Sequence, residues 1–588
     1  MGLPVTDKDV TSQLRQALAS HRQGRFDEAR GLYEQILQQA PTHFEALYLL
    51  ATLHAQCGQA SSAIGIFDRA LSIHPHHAGT HNNLGNALMA LQRFEPALQH
   101  YLKAIELKPD FVEAHNNHGH VLLKLQRYEE ALRCFDALLA WQPMLAEAHN
   151  NRGVALKELQ RYPEALACYD QAIALKPDYV EAYSNRGNAL QKLQRFEASL
   201  PAYAKAIALD PDHYDAHYNQ ANALQELRRF EQALDSFDRA IACQPERPDA
   251  HWNKALALLL LGDWAQGWAL YDWRWRNHPS VPQRTFAQPR WTGQADLSHH
   301  TLLLHAEQGI GDVIQFGSLI PELMGRCARV IFQVDPRLLA LFQRALPDAV
   351  QLVSSEQALG SLDFDFHLPV ASLGRILRSS AAAFEGHSGH YLHADPQRVA
   401  QLQAAHFGGH VQAGRQTQTP KFRCGITWRS RSEKNGQERS LALQDLVRAL
   451  HTDGLEFINL QYGDTAAEVQ ACAQDWGIEV KTVPEVDNFQ DLDGLAALMA
   501  CCDWVITVDN STAHLAGALG LATGVLLTHV PDWRWQLDRA DSPWYASLKL
   551  YRQGPERRWE PVLAQVKQDL LRNLCSSFPR PAPSPPTG

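Results

Sequence analysis

Positive charge is what this chain of 588 residues is short of: its net charge is −10 and its pI is near 6.3. General nucleic-acid binding needs a basic face, so that class is set aside. Ten cysteines are scattered along the chain and none forms a Cys-x-x-Cys pair, which removes the usual zinc and dithiol signatures. The vicinal Cys501–Cys502 pair lies beside an apolar run and is expected to be buried thiol. The longest apolar run, Ala255 to Leu261, is far too short to span a bilayer. No secretory signal opens the sequence, so a reducing cytoplasm is the expected compartment. An Asp-x-Asp spacing occurs at Asp363–Asp365, but in a strand-like run, so no metal is expected. The chain is too long for one core, and two or more domains are expected.

What is present is a period. Pro41, Pro75, Pro109, Pro143, Pro177, Pro211, Pro245 and Pro279 recur every 34 residues. A small residue recurs as Ala51, Gly85, Gly119, Gly153, Gly187, Ala221 and Ala255. A second recurs as Ala29, Ala63, Ala97, Ala131, Ala165, Ser199, Ala233 and Gly267. An aromatic stands four residues after each of these, from Tyr33 to Tyr271. Small opposite large is what close helix packing requires, and each proline ends one helix pair. Over residues 10–278 the pattern resembles eight tetratricopeptide repeats, an α superhelix of helix–turn–helix units.

One column is not a packing column. Asn83, Asn117, Asn151, Asn185, Asn219 and Asn253 occupy the sixth place of the first helix in successive units. An amide carries one acceptor and two donors, so a line of them can pair with an extended peptide whatever its side chains are. The column resembles the asparagine ladder of the protein O-GlcNAc transferases, which implies peptide binding on the inner face. Bonds between neighbouring helices are the other reading. Histidines His81, His115, His149, His217 and His251 form another column, too far apart in sequence for a metal set and read as packing. The eighth unit is rich in tryptophan (Trp264, Trp268, Trp273, Trp275) and reads as a cap docked on the C-terminal half.

Past the repeats the rhythm changes to short apolar runs, glycine turns and helical stretches, the pattern of parallel α/β sheets. Strands are read at 301–305, 329–334 and 363–369, then at 423–428, 456–461, 478–481, 503–508 and 524–527. The expected division is a connector at 279–300, a first Rossmann-like lobe at 301–395, a linker at 396–420 and a second lobe at 421–565. A Pro- and Ser-rich tail at 577–588 reads as disordered.

Gly309-Ile310-Gly311-Asp312-Val313 after the first strand, with Asp509-Asn510-Ser511-Thr512-Ala513-His514 near the end, resembles the heptosyltransferase-like enzymes of glycosyltransferase family 9, which have the two-lobed GT-B fold. The resemblance covers roughly residues 300 to 560. It implies a nucleotide-sugar donor as substrate, no separate cofactor, and Asp312 as general base. An N-cap role for Asp312 is the alternative. Donor-binding candidates are Gly309, Gly311, Trp428, Arg429, Lys434, Arg439, Gln461, Asp509, Ser511, Thr512 and His514. Helix N–H groups and hydroxyls near Ser511 suit a diphosphate. The cations of the 428–440 loop would neutralise it. The Lys-Arg-Trp-Pro block of that family is absent, which leaves the cation that does this undecided.

Joined, the halves suggest a metal-independent, inverting glycosyltransferase acting on a protein held by the repeats. Two other readings stay open: a repeat scaffold with a degenerate transferase domain, and a heptosyltransferase-like enzyme with a saccharide acceptor.

Overall fold

The computed structural model describes residues 7–277, 284–359, 362–408, 411–412, 415–416, 421–432 and 436–577. It divides into two compact units, Met1–Leu227 and Arg228–Gly588.

The first unit is helical throughout its described length, from the helix Asp7–Arg22 to the helix Tyr214–Glu226. First helices such as Ala78–Ala90 alternate with second helices such as Phe94–Leu107. The repeating glycine sits where a side chain has no room. A Cβ at Gly85, Gly119, Gly153 or Gly187 would meet the ring of Tyr101, Phe135, Tyr169 or Tyr203 at 2.5–2.6 Å. Those rings are fully or almost fully buried. Each second helix stops at the residue before its proline, whose ring disfavours the helical region there; Lys108, for example, has φ −139° and ψ 88°. The turn between the two helices needs a left-handed residue. Glycine supplies it at Gly24 and Gly58, but Gln92, Gln126, Gln160 and Gln194 hold φ of 56–60° without that freedom.

The histidine column has a specific task. Nε2 of His81, His115, His149 and His217 lies 2.9–3.0 Å from the carbonyl oxygen of the proline six residues earlier. His251 makes the same bond to Pro245 in the second unit, at 2.8 Å. Each imidazole therefore ties a helix to the loop that leads into it and satisfies a carbonyl that proline geometry leaves outside any helix.

The second unit starts inside the repeats, not at residue 278. Helices Phe230–Cys243, Pro248–Leu260 and Trp264–Leu270 share one hydrophobic core with the α/β region. The cap residues Trp264, Trp268 and Tyr271 are buried against Trp533, with Phe316, Phe384 and Trp544 adjoining. Trp268 Nε1 donates to the Arg378 carbonyl at 2.8 Å. Aromatics of this size each bury enough area to contribute on the order of 4 kcal/mol to folding, so the last repeat cannot separate cheaply from the sheets.

The first sheet contains β1 (Leu297–His305), β2 (Cys327–Val334), β3 (Val350–Ser354) and β4 (Phe366–Pro369) in the order β3-β2-β1-β4, all parallel. A two-residue hairpin, β5 (Val411–Gln412) with β6 (Arg415–Gln416), precedes the second sheet. That sheet contains β7 (Phe422–Ile426), β8 (Leu455–Asn459), β9 (Val480–Lys481), β10 (Trp504–Val508), β11 (Thr523–Leu527) and β12 (Leu548–Arg552). Its order is β12-β11-β10-β7-β8-β9, again all parallel. This is the doubly wound order, with its reversal between β7 and β10.

Several expected boundaries move. The connector expected at 279–300 already contains buried Trp291 and the first residues of β1, and residues 278–283 lie outside the described set. The linker expected at 396–420 opens with a helix, Pro396–Leu402, and the Gly- and His-rich stretch before it is packed, with Leu392 fully buried. Glycine is there for contact: Gly389 has φ +68°, and a Cβ on it would lie 1.9 Å from the Trp544 carbonyl oxygen. The last helix runs Glu560–Ser577, past the expected end at 565. Residues 578–588 of the expected tail are outside the described set.

Candidate functional site

Ligands of open α/β sheets bind beyond the carboxyl ends of the strands, at the reversal of strand order. Here β10 ends at Val508, and Asp509 and Asn510 lead into the helix Ser511–Ala518. Asn510 is the knot of this turn. Its Oδ1 accepts from Thr512 N (2.9 Å) and from Thr507 Oγ1 (3.0 Å). Its Nδ2 donates to Thr427 Oγ1 and the Arg429 carbonyl, both at 3.2 Å, across to the end of β7. Asn510 belongs to the sequence motif but is not among the residues singled out from it; its N-cap position before Ser511 is the signal that could have found it.

In the first sheet β1 ends at His305, and Glu307, Gln308 and Gly309 lead into the helix Ile310–Gly317. Asp312, at the third place of that helix, reaches back: its Oδ2 accepts from Gly309 N at 3.1 Å. Asp312 is therefore not the N-cap, a place held by Gly309, but the third-position partner that closes a capping box on it. Its other oxygen accepts from the Arg534 guanidinium. The two helix starts touch. A Cβ at Gly311 would lie 2.9 Å from His514 Cδ2 and 3.6 Å from Ser511 Cα, so only glycine allows this approach.

Behind the contact runs a chain of charge. Arg534 Nη1 donates to Asp532 Oδ1 and Nε to Gln315 Oε1, both at 2.7 Å. Arg439 pairs with Asp509 at 2.9 Å and with the other oxygen of Asp532 at 3.4 Å. Two guanidinium groups thus serve three carboxylates. Burial alone would raise the Asp532 carboxyl, but Arg534 and Arg439 overcome it and hold it below the usual range. Burial wins at Asp509, whose carboxyl is pushed up despite Arg439. His514 is buried, shares a 3.1 Å hydrogen bond with the Tyr545 hydroxyl and stacks on Trp535. Burial, helped by Arg534, pushes its pKa down to about 3.

A cleft opens beside the two helix starts. Ile310 and Ile314 line it from the first sheet's side, and Ser511, Thr512, Tyr462 and Phe489 from the second's, around a volume of about 150 Å³. A second cavity of about 450 Å³ runs along the carboxyl ends of the first sheet, past Glu307, Gln308 and Gly309, and shares Ile310 and Arg337 with the first. At the mouth two guanidinium groups approach the Phe489 ring, Arg337 at 4.8 Å and Arg431 at 5.8 Å from its centroid. Arg337 is paired with Asp335 at 2.8 Å. Arg431 has no carboxylate partner among the described residues; its guanidinium sits 5.5 Å from the Tyr462 ring.

The structure sorts the donor-binding candidates. Gly309, Gly311, Ser511 and Thr512 lie at the paired helix starts. Asp509 and Arg439 pair with each other beneath them. Four candidates stand elsewhere or are otherwise engaged. Trp428, two residues past β7, is fully buried, its indole in the second-lobe core with Nε1 donating to Glu468. Gln461 is buried with Oε1 accepting from the backbone N–H of Trp428 (2.9 Å) and Arg429 (2.8 Å), so it splints the loop. Arg429 turns to Glu468 and to the Asp464 carbonyl. His514 is walled in as described. Lys434 lies outside the described residues. Arg337, Asn488 and Phe489 at the cleft are not legible in the sequence: Arg337 comes from a short 3-10 turn, Pro336–Leu338, and the other two from a loop, none of them in a motif.

The asparagine column is half-buried and stitched to its neighbours. Nδ2 of Asn117, Asn151 and Asn185 donates to Asn82, Asn116 and Asn150 in the preceding first helix at 3.0–3.2 Å. Asn83 does the same to the Tyr48 hydroxyl at 3.1 Å. The backbone carbonyl of Asn219 accepts from Gln191 at 2.6 Å. Asn253 belongs to the second unit.

Comparison with known proteins settles the repeats. A family model described as TPR repeat matches residues 85–126, 119–160 and 155–194. Models described as tetratricopeptide repeat match 20–71, and 184–243 with 218–272. The N-terminal part of this chain, to about residue 270, consists of tetratricopeptide repeats. Protein FlbA of Caulobacter vibrioides is 31% identical over 338 residues, covering 54% of this chain and 54% of FlbA. The chain thus spans about half the length of the curated relative it matches. Among solved structures, YrrB, a TPR protein with an unusual peptide-binding site, is 28% identical over 32% of this chain and 98% of its own, with a TM-score of 0.27. A tetratricopeptide repeat protein from Parabacteroides merdae is 17% identical over 42% of this chain and 98% of its own, with a TM-score of 0.38. Beyond the repeats the chain is an α/β region built on parallel sheets. No helix among the described residues is long and apolar enough to cross a membrane.

Proposed function

We propose that this protein is an inverting, metal-independent glycosyltransferase whose α/β region has the two-lobed GT-B arrangement. It moves a sugar from a nucleotide-sugar donor to a protein acceptor held by the tetratricopeptide repeats. One observation carries the reading: two parallel sheets bring their carboxyl ends to one cleft, where two helix N-termini meet at Gly311 and His514. The Ser511 N–H and hydroxyl, at the positive end of its helix, suit the leaving diphosphate, while Asn510 already takes the N–H groups of Thr512 and Ala513. Arg431 and Phe489 at the mouth suit a flat, anionic nucleotide. Asp312 is the base: each of its oxygens has a further lone pair for the proton of a Ser or Thr hydroxyl that attacks the anomeric carbon. In the asparagine ladder Asn151 and Asn185 each spend one N–H on the neighbouring first helix and keep a second for the acceptor backbone, whereas Asn83 and Asn117 spend both on that helix and offer the acceptor only their oxygens.

The scaffold reading has one observation of its own. Arg439 and Arg534 are engaged by Asp509, Asp532 and Asp312, as in a site that no longer handles a polyanion. Incubation with a panel of nucleotide sugars and host lysate separates the two. Nucleotide release with a sugar-sized mass shift on a protein, lost in Asp312→Ala, supports the transferase; no release and no nucleotide binding supports the scaffold.

A further inference from the structure

The last tetratricopeptide unit is joined to the α/β region by more than apolar contact. Arg274 is buried and its side chain is 1% exposed; that of Glu307, two residues past β1, is 4% exposed. Glu307 Oε1 accepts from Arg274 Nε (3.0 Å) and Nη2 (2.6 Å), and Oε2 accepts from Trp275 Nε1 (2.5 Å). Arg274 spends its remaining donors on Asp272 (3.0 Å), the Tyr271 carbonyl (3.1 Å) and Ser372 (2.9 Å). The Tyr271 hydroxyl lies 3.4 Å from the Gln308 amide. The held segment, Glu307-Gln308-Gly309, runs directly into the helix that carries Asp312.

The same unit holds the partner of Asp312. Trp533 sits in sequence between Asp532 and Arg534, and its ring packs 5.4 Å from Trp268 and 6.0 Å from Tyr271. The Arg534 guanidinium lies 4.5 Å from the Trp533 ring centroid. Docking alone does not call for a desolvated ion pair, because apolar residues of similar size serve as well or better. A carboxylate with both oxygens engaged does something apolar packing does not: it fixes the direction of a turn.

We propose that the eighth repeat is a positioning element of the cleft. Tyr271, Arg274 and Trp275 set the Glu307–Gly309 turn, and Trp268 with Tyr271 sets the Trp533–Arg534 turn, so that Asp312 and Arg534 meet. The proposal rests on the cleft being the ligand site proposed above, but not on any transfer activity.

The test uses the full chain. Trp275→Phe leaves an aromatic ring beside Arg274 and Arg290 but removes the N–H to Glu307 together with part of the indole; Arg274→Met removes the fork. Hydrogen exchange is measured over residues 306–316 and over the 504–508 strand, and inorganic pyrophosphate binding is measured by calorimetry. In Trp275→Phe, exchange over 306–316 is expected to rise about tenfold with the strand unchanged, and pyrophosphate to bind about tenfold more weakly. Arg274→Lys, which keeps the charge but not the fork, should restore protection only in part. Unchanged exchange over 306–316, or a rise spread evenly over the whole second unit, overturns the proposal. If Arg274→Met fails to fold, Trp275→Phe still decides. If the unaltered protein binds no pyrophosphate, the anion reading of the cleft falls, while the exchange result still tests the positioning.

Discussion

His514 gives the sharpest physical prediction. It is buried between Trp535 and Tyr545, faces Arg534, Asp532 and Arg439, and has its pKa pushed down to about 3. In the unfolded chain a histidine titrates near pH 6.5. Between these values the unfolded chain holds a proton that the folded chain refuses. Stability must therefore fall as the pH drops through this window, by up to about 1.4 kcal/mol per pH unit. From pH 6.5 to 4.5 the loss due to His514 alone comes to about 2 kcal/mol, since titration is only half engaged at the upper end. Phenylalanine at this position keeps the stacking and cannot titrate. His514→Phe should be less stable at pH 7.5 by about 1 kcal/mol, because the Tyr545 hydroxyl loses its partner. The gap should close or reverse as the pH falls to 4.5. Denaturant unfolding monitored by tryptophan fluorescence reads the right unit, because only Trp141 of the fourteen tryptophans lies before Arg228. A stability difference that stays constant from pH 7.5 to 4.5 would refute the argument, because it would mean that the folded protein protonates His514 as easily as the unfolded chain.

Other perturbations test the same geometry. Gly153→Ala drives a methyl into the buried Tyr169 ring, 2.6 Å away, and should cost about 1–3 kcal/mol in a thermal or denaturant melt monitored by circular dichroism; an unchanged midpoint would show that the ring has room to move. Gln160 sits at φ +60°, so Gln160→Gly should stabilise the repeats by about 0.5–1 kcal/mol, and a loss of stability would mean that the side chain makes a contact worth more than the strain. Arg534→Met strips Asp312, Asp532 and Gln315 of one shared donor and should cost about 3–5 kcal/mol by chemical denaturation, with less than about 1 kcal/mol counting against a structural role. Gly311→Ala should push the two helix starts apart and weaken pyrophosphate binding about tenfold in calorimetry; equal affinity would place anion binding elsewhere.

The repeats are legible in the sequence because one packing problem is solved again and again. A glycine under a ring and a proline after each second helix leave marks at a fixed interval, and eight copies average out local noise. The sheets are less legible. Two strands, β3 with Val350–Ser354 and β12 with Leu548–Arg552, do not stand out, since five residues at a sheet edge need carry only a weak apolar pattern. The Gly- and His-rich stretch before Pro396 looks loose by composition, yet Gly389 is there because the Trp544 carbonyl leaves no space for a side chain. Composition counts glycines; it does not say whether each one serves freedom or contact.

The candidate site shows the same limit in its charges. Read along the chain, the loop from Trp428 to Ser440 offers cations in a row, and a row of cations suggests an anion in solution. In the folded chain the anions are already there. Arg439 finds Asp509 and Asp532, Arg429 finds Glu468, and Arg534, which is not among the sequence candidates, finds Asp312. Each partner comes from a segment distant in sequence, which periodicity cannot foresee. A diphosphate entering the cleft would therefore either use the Ser511 N–H and hydroxyl with Arg431, or compete with carboxylates for Arg439 and Arg534. The two routes differ in salt and pH response. The first is a site whose own donors do not titrate between about pH 5 and 8, so its affinity falls with pH only as pyrophosphate itself takes up a proton. The second gains affinity wherever Asp509, whose carboxyl burial pushes up, gives up its charge and releases Arg439. Pyrophosphate affinity measured against falling pH thus tells which set of donors the folded chain offers to an anion.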